Sequence, residues 1–450
     1  MSRTPPDVHA VTRSEHRRRL IAGGIGNFME WFDFAIYGFF AAAIGTNFFP
    51  STSSTASLLS ALAVYAIAFL MRPVGGLVIG AIGDRRGRRF ALMLSVGLMG
   101  AATALIAVLP PYSAIGIAAP AVLVLLRCVQ GFSAGGEWTG STAFLVENAP
   151  AGRRGLVASV VPMTGAIGVA AGAGSALLIQ NLLAADQIAT WGWRIPFLAA
   201  FPLTLVGLYI RIKLDETAVF HQLRARDEVA EAPIRTVLRA EKRGVAISFA
   251  LSAITVLGFY YIATYVVTFL TTTAGMKRGT ALWVVSAGAL VYSGLCVVAG
   301  ALSDRVGRRP ISLAGGAGLA LFAIPAFLLM ATGRPGPAIL GIVLFGVFQA
   351  MHISTTTVML IELFPARTRM TGSAIGYNLG AALIAGPGPL IAAALAATGG
   401  FAGLPATYIA VVAAICSIAL FFLLPETRFR RLGGHAADPD PRRADDVVAP

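Results

Sequence analysis

Two carboxylates, Glu30 and Asp33, interrupt the otherwise apolar run from Gly26 to Gly38, GNFMEWFDFAIYG. Three residues apart, they share one face of a helix. If that segment enters a bilayer near Leu20, a rise of about 1.5 Å per residue puts Glu30 about 15 Å and Asp33 about 20 Å along it. The hydrocarbon core is about 30 Å thick, so both lie near its middle. An unpaired carboxylate at that depth costs at least a few kcal/mol, which makes the pair a functional site, protonated or paired and facing the protein interior, or else a device for helix packing. Desolvation and mutual repulsion oppose ionising both acids without a counter-charge. One of them is therefore expected to hold a proton at some step of a cycle: Asp33 as the carrier, with Glu30 supporting it.

A guanidinium at matching depth completes the chemistry. Arg127 lies about nine residues, or about 14 Å, into its own apolar run. It is expected to face Asp33 or Glu30 when the site is empty and a substrate carboxylate, held bidentately, when it is full. The alternative is a permanent structural salt bridge. Gln130, one turn on, joins the substrate-binding set. Glu137 sits deeper, among Gly131, Gly135, Gly136 and Gly140, a stretch that lets another helix approach closely. It is read as the partner of Arg72 or as a second relay acid. His352 suits a proton carrier by its ordinary titration range, but beside Gln349 and the hydroxyls of residues 354–357 it reads better as a neutral hydrogen-bonding residue.

The elements that position these groups follow from composition. Of 450 residues, 56% are hydrophobic and only 12% charged, far below the roughly 25% charged content of a soluble domain. This excludes a soluble enzyme and indicates a polytopic membrane protein. The net charge of +14 does not indicate a nucleic-acid partner, because of where the charges sit. Of the 35 Lys and Arg, 29 lie in the two ends and alternate loops; Lys277, Arg278 and Arg334 occupy the other loops, and Arg72, Arg127 and Arg194 the spans or their edges. The positive-inside rule then places both termini in the cytoplasm, in a plasma or inner membrane. The first apolar run has no small-residue cleavage site after it and is expected to be kept as a helix. Cys128, Cys296 and Cys416 lie in apolar runs without metal or redox spacing. No metal or cofactor is expected, and the chain is expected to act as a monomer.

Twelve runs are long enough to cross a bilayer, at about 20–44, 57–82, 90–109, 118–146, 156–181 and 193–213, then 244–273, 280–302, 310–331, 337–361, 372–397 and 405–425. This predicts an all-α membrane fold of two six-helix bundles, 20–214 and 244–425. Residues 1–19 form a cytoplasmic tail, 215–243 a cytoplasmic linker with short amphipathic helices, and 426–450 a disordered cytoplasmic tail. The halves repeat: GAIGDRRGRR from Gly80 and GALSDRVGRR from Gly300 match at seven of ten positions, and Glu147, Pro150 and Arg154 correspond to Glu362, Pro365 and Arg369. Such a repeat implies a pseudo-two-fold axis along the membrane normal, with substrate bound between the halves. The fifth and eleventh helices begin on the cytoplasmic side, so Asp304 and Asp84 are expected to reach their positive ends across the halves and hold the inside closed. Arg88 and Arg308 are expected to pair with Glu147 and Glu362.

With these residues located, the chain resembles the major facilitator superfamily. The stretches GNFMEWFDFAIYGF, FLMRPVGG from Phe69, RCVQGFSAGGEWTG from Arg127, WGWRIPF from Trp191 and ELFPARTRMTG from Glu362 together resemble its metabolite:proton symporter family, which includes proline/betaine, α-ketoglutarate, citrate and shikimate permeases. The resemblance implies a symporter importing a small carboxylate-bearing metabolite by alternating access. Thr139, Gly140, Tyr377 and Asn378 point to proline and glycine betaine, with an organic acid as the alternative. The long C-terminal coiled coil of the osmosensing relative is absent. In this fold Trp31, Tyr37, Tyr260, Tyr261 and Tyr377 fall in cavity-lining helices, where aromatic faces suit a quaternary ammonium. A drug/proton antiporter, a membrane-embedded enzyme and a passive membrane protein are the remoter rivals. No acid cluster or interfacial nucleophile supports the enzyme.

Overall fold

The computed structural model describes residues 13–430 and 432; the expectations for the rest of both tails lie outside them. In lipid, backbone polar groups must be satisfied within the chain, and helices do this segment by segment. The twelve spans are α1 (Arg13–Phe39), α2 (Ser54–Arg86), α3 (Arg88–Val108), α4 (Ala118–Glu147), α5 (Arg154–Leu182) and α6 (Arg194–Ile212), then α7 (Lys242–Thr272), α8 (Arg278–Val306), α9 (Arg308–Ala331), α10 (Pro335–Glu362), α11 (Ala366–Ala397) and α12 (Leu404–Leu423). Among the described residues eleven helices are long and apolar enough alone, and α1 becomes the twelfth with Ala41–Phe48, to which it is bent by 68°. Outward faces carry bare apolar side chains, such as Leu70 at 66% and Phe422 at 76% exposure, which suits lipid and not water.

The halves meet along α2 with α11 and α5 with α8. The turns α2–α3 and α8–α9 occupy equivalent places in the repeat, and each is made by a glycine at positive φ, Gly87 at 105° and Gly307 at 121°, a conformation that other residues rarely adopt. The linker forms the two expected short helices, Ala218–Ala225 and Pro233–Ala240, held by buried Phe220, Leu223 and Val237. Single π-helical turns interrupt α7 at Tyr261–Tyr265 and α11 at Ala381–Ala385.

One boundary differs from expectation. Residues 426–430 and 432 are not a loose tail: Glu426 accepts the main-chain N–H groups of Arg308 (3.0 Å) and Arg309 (3.1 Å), and Leu432 is buried. A charged, Pro-containing composition concealed contacts that depend on the start of a distant helix.

Candidate functional site

Of the two acids that Arg127 was expected to face, it meets Asp33. Asp33 Oδ2 lies 3.1 Å from Arg127 Nη1, both buried. Gln130 Oε1 accepts from Arg127 at 2.7 Å, Gln130 Nε2 donates to Thr103 at 2.8 Å, and the Thr103 hydroxyl lies 2.9 Å from Asp33 Oδ1. Thr103, on α3, escaped the sequence analysis because a lone threonine in an apolar run has no signature. Arg127 stacks over Tyr37 at 4.1 Å. The Tyr37 hydroxyl donates to the Ala61 carbonyl at 3.1 Å, so this tyrosine is spent inside the N-terminal half. The carboxylate has an arginine, a hydroxyl and an amide network around it, and a change of charge at any of them is felt at its proton.

Glu30 pairs with a different arginine. It forms a buried ion pair with Arg72 of α2, whose Nη1 also donates to Tyr260 Oη of α7 at 2.9 Å, joining the two halves. The guanidinium lies over Trp31 (5.7 Å), Phe34 (5.4 Å) and Phe69 (5.6 Å). The rings of Trp31 and Phe69 lie 5.6 and 4.8 Å from that of Tyr260. An arginine facing an acid, boxed by aromatic faces where the halves meet, is an apolar site with few convergent polar groups.

Two assignments are corrected. Glu137 is not the partner of Arg72: Arg211 of α6 holds it, with Nη2 at 2.5 Å and Nη1 at 3.0 Å, while Ser141 donates at 2.9 Å and Ser95 adds a further contact. Arg211 reads in the sequence as one more basic residue of a loop, yet it is buried and also reaches the carbonyls of Ala22 and Leu92. A Cβ at Gly26 would collide with both members of this pair, so α1 approaches it only through a glycine. Tyr261 does not join the aromatic site. Its hydroxyl donates to Pro405 O at 2.8 Å and its ring packs on Tyr265 and Phe327. His352 lies with Nδ1 3.0 Å from Ser312 O and Nε2 3.2 Å from Leu251 O, bracing α9 and α7 within the C-terminal half. Tyr377 stacks on Trp138 at 5.6 Å, and Asn378 donates across the halves to Gly135 O at 2.9 Å.

At the end carrying the basic loops, the expected reciprocal contacts form. Asp84 accepts from the N–H groups of Met370 (3.2 Å) and Thr371 (2.8 Å) at the start of α11, and Asp304 from Gly155 (2.9 Å) and Leu156 (2.8 Å) at the start of α5. Arg88 reaches Glu147 at 3.3 Å and Arg308 reaches Glu362 at 3.5 Å. Arg369 and Arg154 cross the halves to those same acids, at 2.8 and 3.7 Å. The sequence analysis missed a third repeated piece, LDET ending at Thr217 and LPET ending at Thr427. Thr217 donates to Glu147 at 2.7 Å and Thr427 to Glu362 at 2.6 Å. Its short length hid it, although the spacing of 210 residues was a findable signal.

Two six-helix halves related by a repeat, charged pairs buried between them and one end held by reciprocal helix caps define a multi-pass membrane transporter. The profile of the Major Facilitator Superfamily matches residues 23–387 and, again, 249–444. The chain belongs to that superfamily. It is 33% identical over 437 residues to the glycine betaine/proline/ectoine/pipecolic acid transporter OusA of Dickeya dadantii, spanning 95% of this chain and 87% of that protein. The proline/betaine transporter of Escherichia coli is 33% identical over 418 residues (91% and 83%), and the inner membrane metabolite transport protein YhjE of the same organism 36% over 423 residues (92% and 95%). Among solved structures, the proton:xylose symporter XylE superposes with a TM-score of 0.79 over 93% of this chain and 98% of that one, at 18% identity, which establishes likeness of fold.

Proposed function

We propose that this protein is a proton-coupled symporter of the plasma or inner membrane that imports a small carboxylate-bearing osmolyte of the proline/glycine betaine type, its termini in the cytoplasm. The observation that carries this reading is the buried pairing of Asp33 with Arg127. With the arginine facing it, the carboxylate form of Asp33 has a counter-charge beside it. When that pairing weakens as substrate binds, the carboxylate takes up a proton from outside, so substrate and proton load together. Glu137, closed into a bidentate pair with Arg211, serves structure better than relay. The caps by Asp84 and Asp304, with the Glu147 and Glu362 clusters, act as the inner gate that alternates with an outer one. One chain supplies both halves of the site, so a monomer suffices. The names of the similar transporters support the substrate class.

The test is uptake into proteoliposomes under an imposed pH gradient, with betaine, proline, α-ketoglutarate, citrate and shikimate competing. Gradient-driven uptake of proline or betaine is the expected result. Uptake of an organic acid alone would move the protein to another substrate class. Uptake indifferent to the pH gradient would remove the proton. Cysteines placed at Gly275 and Gly403 should label from outside intact cells and one at Ala436 should not; the reverse pattern would invert the topology.

A further inference from the structure

Two acid–arginine pairs lie close together on α1, and only one of them touches the other half of the molecule. Arg127 is enclosed by residues of α1, α3 and α4, all in the N-terminal half. Arg72 is bonded to Tyr260 across the interface where the halves separate. Substrate must be released from a surface that opens, so the guanidinium on the dividing surface is the better placed to receive it. Its Nε has no hydrogen-bond partner, nor does the indole N–H of Trp31 beside it, although both are buried; Arg127 Nε and Nη2 are likewise unpartnered, so the choice between the two arginines rests on the contact of Arg72 with the opposite half.

We propose that Arg72 and Glu30 form a receptor for a zwitterion, in which the protein's own ion pair holds the place that the substrate's two charges take. The substrate carboxylate replaces Glu30 on Arg72, and the carboxylate of Glu30, so released, faces the substrate's cationic end among Trp31, Phe69 and Tyr260. The exchange leaves the net charge of the buried site unchanged: one cation and one anion are paired before and two of each after. A substrate with a carboxylate and no cation would leave Glu30 buried without a counter-charge, and a di- or tricarboxylate would add repulsion. A cation without a carboxylate would leave Arg72 unpaired. A quaternary ammonium, which cannot donate hydrogen bonds, still gains the faces of the aromatic rings. The site thereby selects internal salts over anions and over cations, while Asp33 and Arg127 are left to handle the proton. This inference rests on the symporter reading above and assigns the arginine that reading needs: Arg72, and not Arg127, holds the substrate carboxylate.

The probes are glycine betaine, its uncharged-carbon isostere 3,3-dimethylbutanoate, and choline, titrated calorimetrically into the full-length detergent-purified protein. Betaine is expected to bind at least about tenfold more tightly than either analogue. Glu30→Gln should weaken betaine and bring the two carboxylates within about threefold of each other, because the charge that told them apart is gone. Arg72→Lys should weaken both carboxylates by about tenfold or more, since the forked geometry is lost. Arg72→Gln removes a buried partner and is paired with the double variant Arg72→Gln/Glu30→Gln, which restores neutrality; thermal unfolding establishes that each is folded. An unchanged betaine-to-isostere ratio in Glu30→Gln, or wild-type betaine affinity in folded Arg72→Lys and the double variant, overturns the assignment. Gradient-driven uptake of α-ketoglutarate with no betaine uptake would overturn the zwitterion receptor and leave symport standing. Betaine uptake without pH dependence, with the Glu30 effect intact, would do the reverse.

Discussion

The middle of the molecule and its basic-loop end carry buried ions of the same types, arranged by opposite rules. At the basic-loop end the caps and the acid–arginine clusters have counterparts in the other half: Asp84 with Asp304, Arg88 with Arg308, Glu147 with Glu362, Arg369 with Arg154. In the middle, Glu30, Asp33, Arg72 and Arg127 all belong to the N-terminal half, and the C-terminal half supplies Tyr260, Tyr377 and Asn378. A closure that must hold two similar bodies together is served by symmetry, because either body can present the same cap to the other. A site that must bind an asymmetric molecule and separate a proton from it is served by unlike walls.

The largest effect expected from breaking this comparison is on Glu137 with Arg211, the buried pair assigned to structure, which joins α4 to the basic-loop end of α6. Arg211→Ala leaves Glu137 buried and uncompensated, at about 3–5 kcal/mol, and should show as lost expression or a large fall in thermal stability; Arg211→Ala/Glu137→Gln should recover much of it. Next, Asp33→Asn should abolish accumulation driven by a pH gradient while counterflow exchange of substrate persists. Full accumulation in that variant would put the coupling proton elsewhere, with Glu137 and then His352 the next candidates. Symmetry at the basic-loop end is sharpened by Asp84→Asn and Asp304→Asn. Each should slow exchange, by about tenfold for the loss of two charge-assisted caps at a helix start, and leave equilibrium binding within a few fold. A collapse of binding with unchanged exchange would end the gate assignment, and a large effect of one without the other would end its symmetry. Tyr260→Phe removes one hydrogen bond to Arg72 and should change affinity by about fivefold, or about 1 kcal/mol. Smallest of all, Arg86→Gln alters an exposed side chain and should move stability by no more than about 0.5 kcal/mol.

What the sequence made legible follows the same division. Repetition is visible in letters, so the caps and the acid–arginine clusters of the basic-loop end could be paired from offsets of 220 and 215 residues. Depth is also visible, because a helix converts residue count to distance, and depth alone brought Asp33 and Arg127 together. Rotation is not visible. Glu30 and Asp33 lie on one helical face, but that they take separate arginines depends on how α2 and α4 are turned about their axes, which the packing of Gly131 and Gly135 against α2 decides. The same blindness gave Arg72 to Glu137. Arg211 was lost among basic loop residues because the last turn of a span and the first residue of a loop look alike in composition. Arg89, one of the basic loop residues, holds the Ile212 carbonyl and places its own N–H on Glu216.

The π turn in α7 sets the phase of a helix. Tyr260, just before that turn, and Tyr261, its first residue, are about 100° apart as helix neighbours are, so one hydroxyl meets a guanidinium of the opposite half and the other a carbonyl of its own half. A π turn takes in one more residue than a normal helical turn and so offsets everything after it by about a quarter of a revolution. Inserting or deleting a single residue at 261–265 would therefore work as a rotary selector, changing which rings are shown to the dividing surface while leaving the composition of the helix almost unaltered. In α7, the rings that follow Tyr260 are thus aimed partly by angle as well as chosen by residue identity, and on the zwitterion-receptor proposal a change of specificity could pass through that turn without touching any residue that meets the substrate.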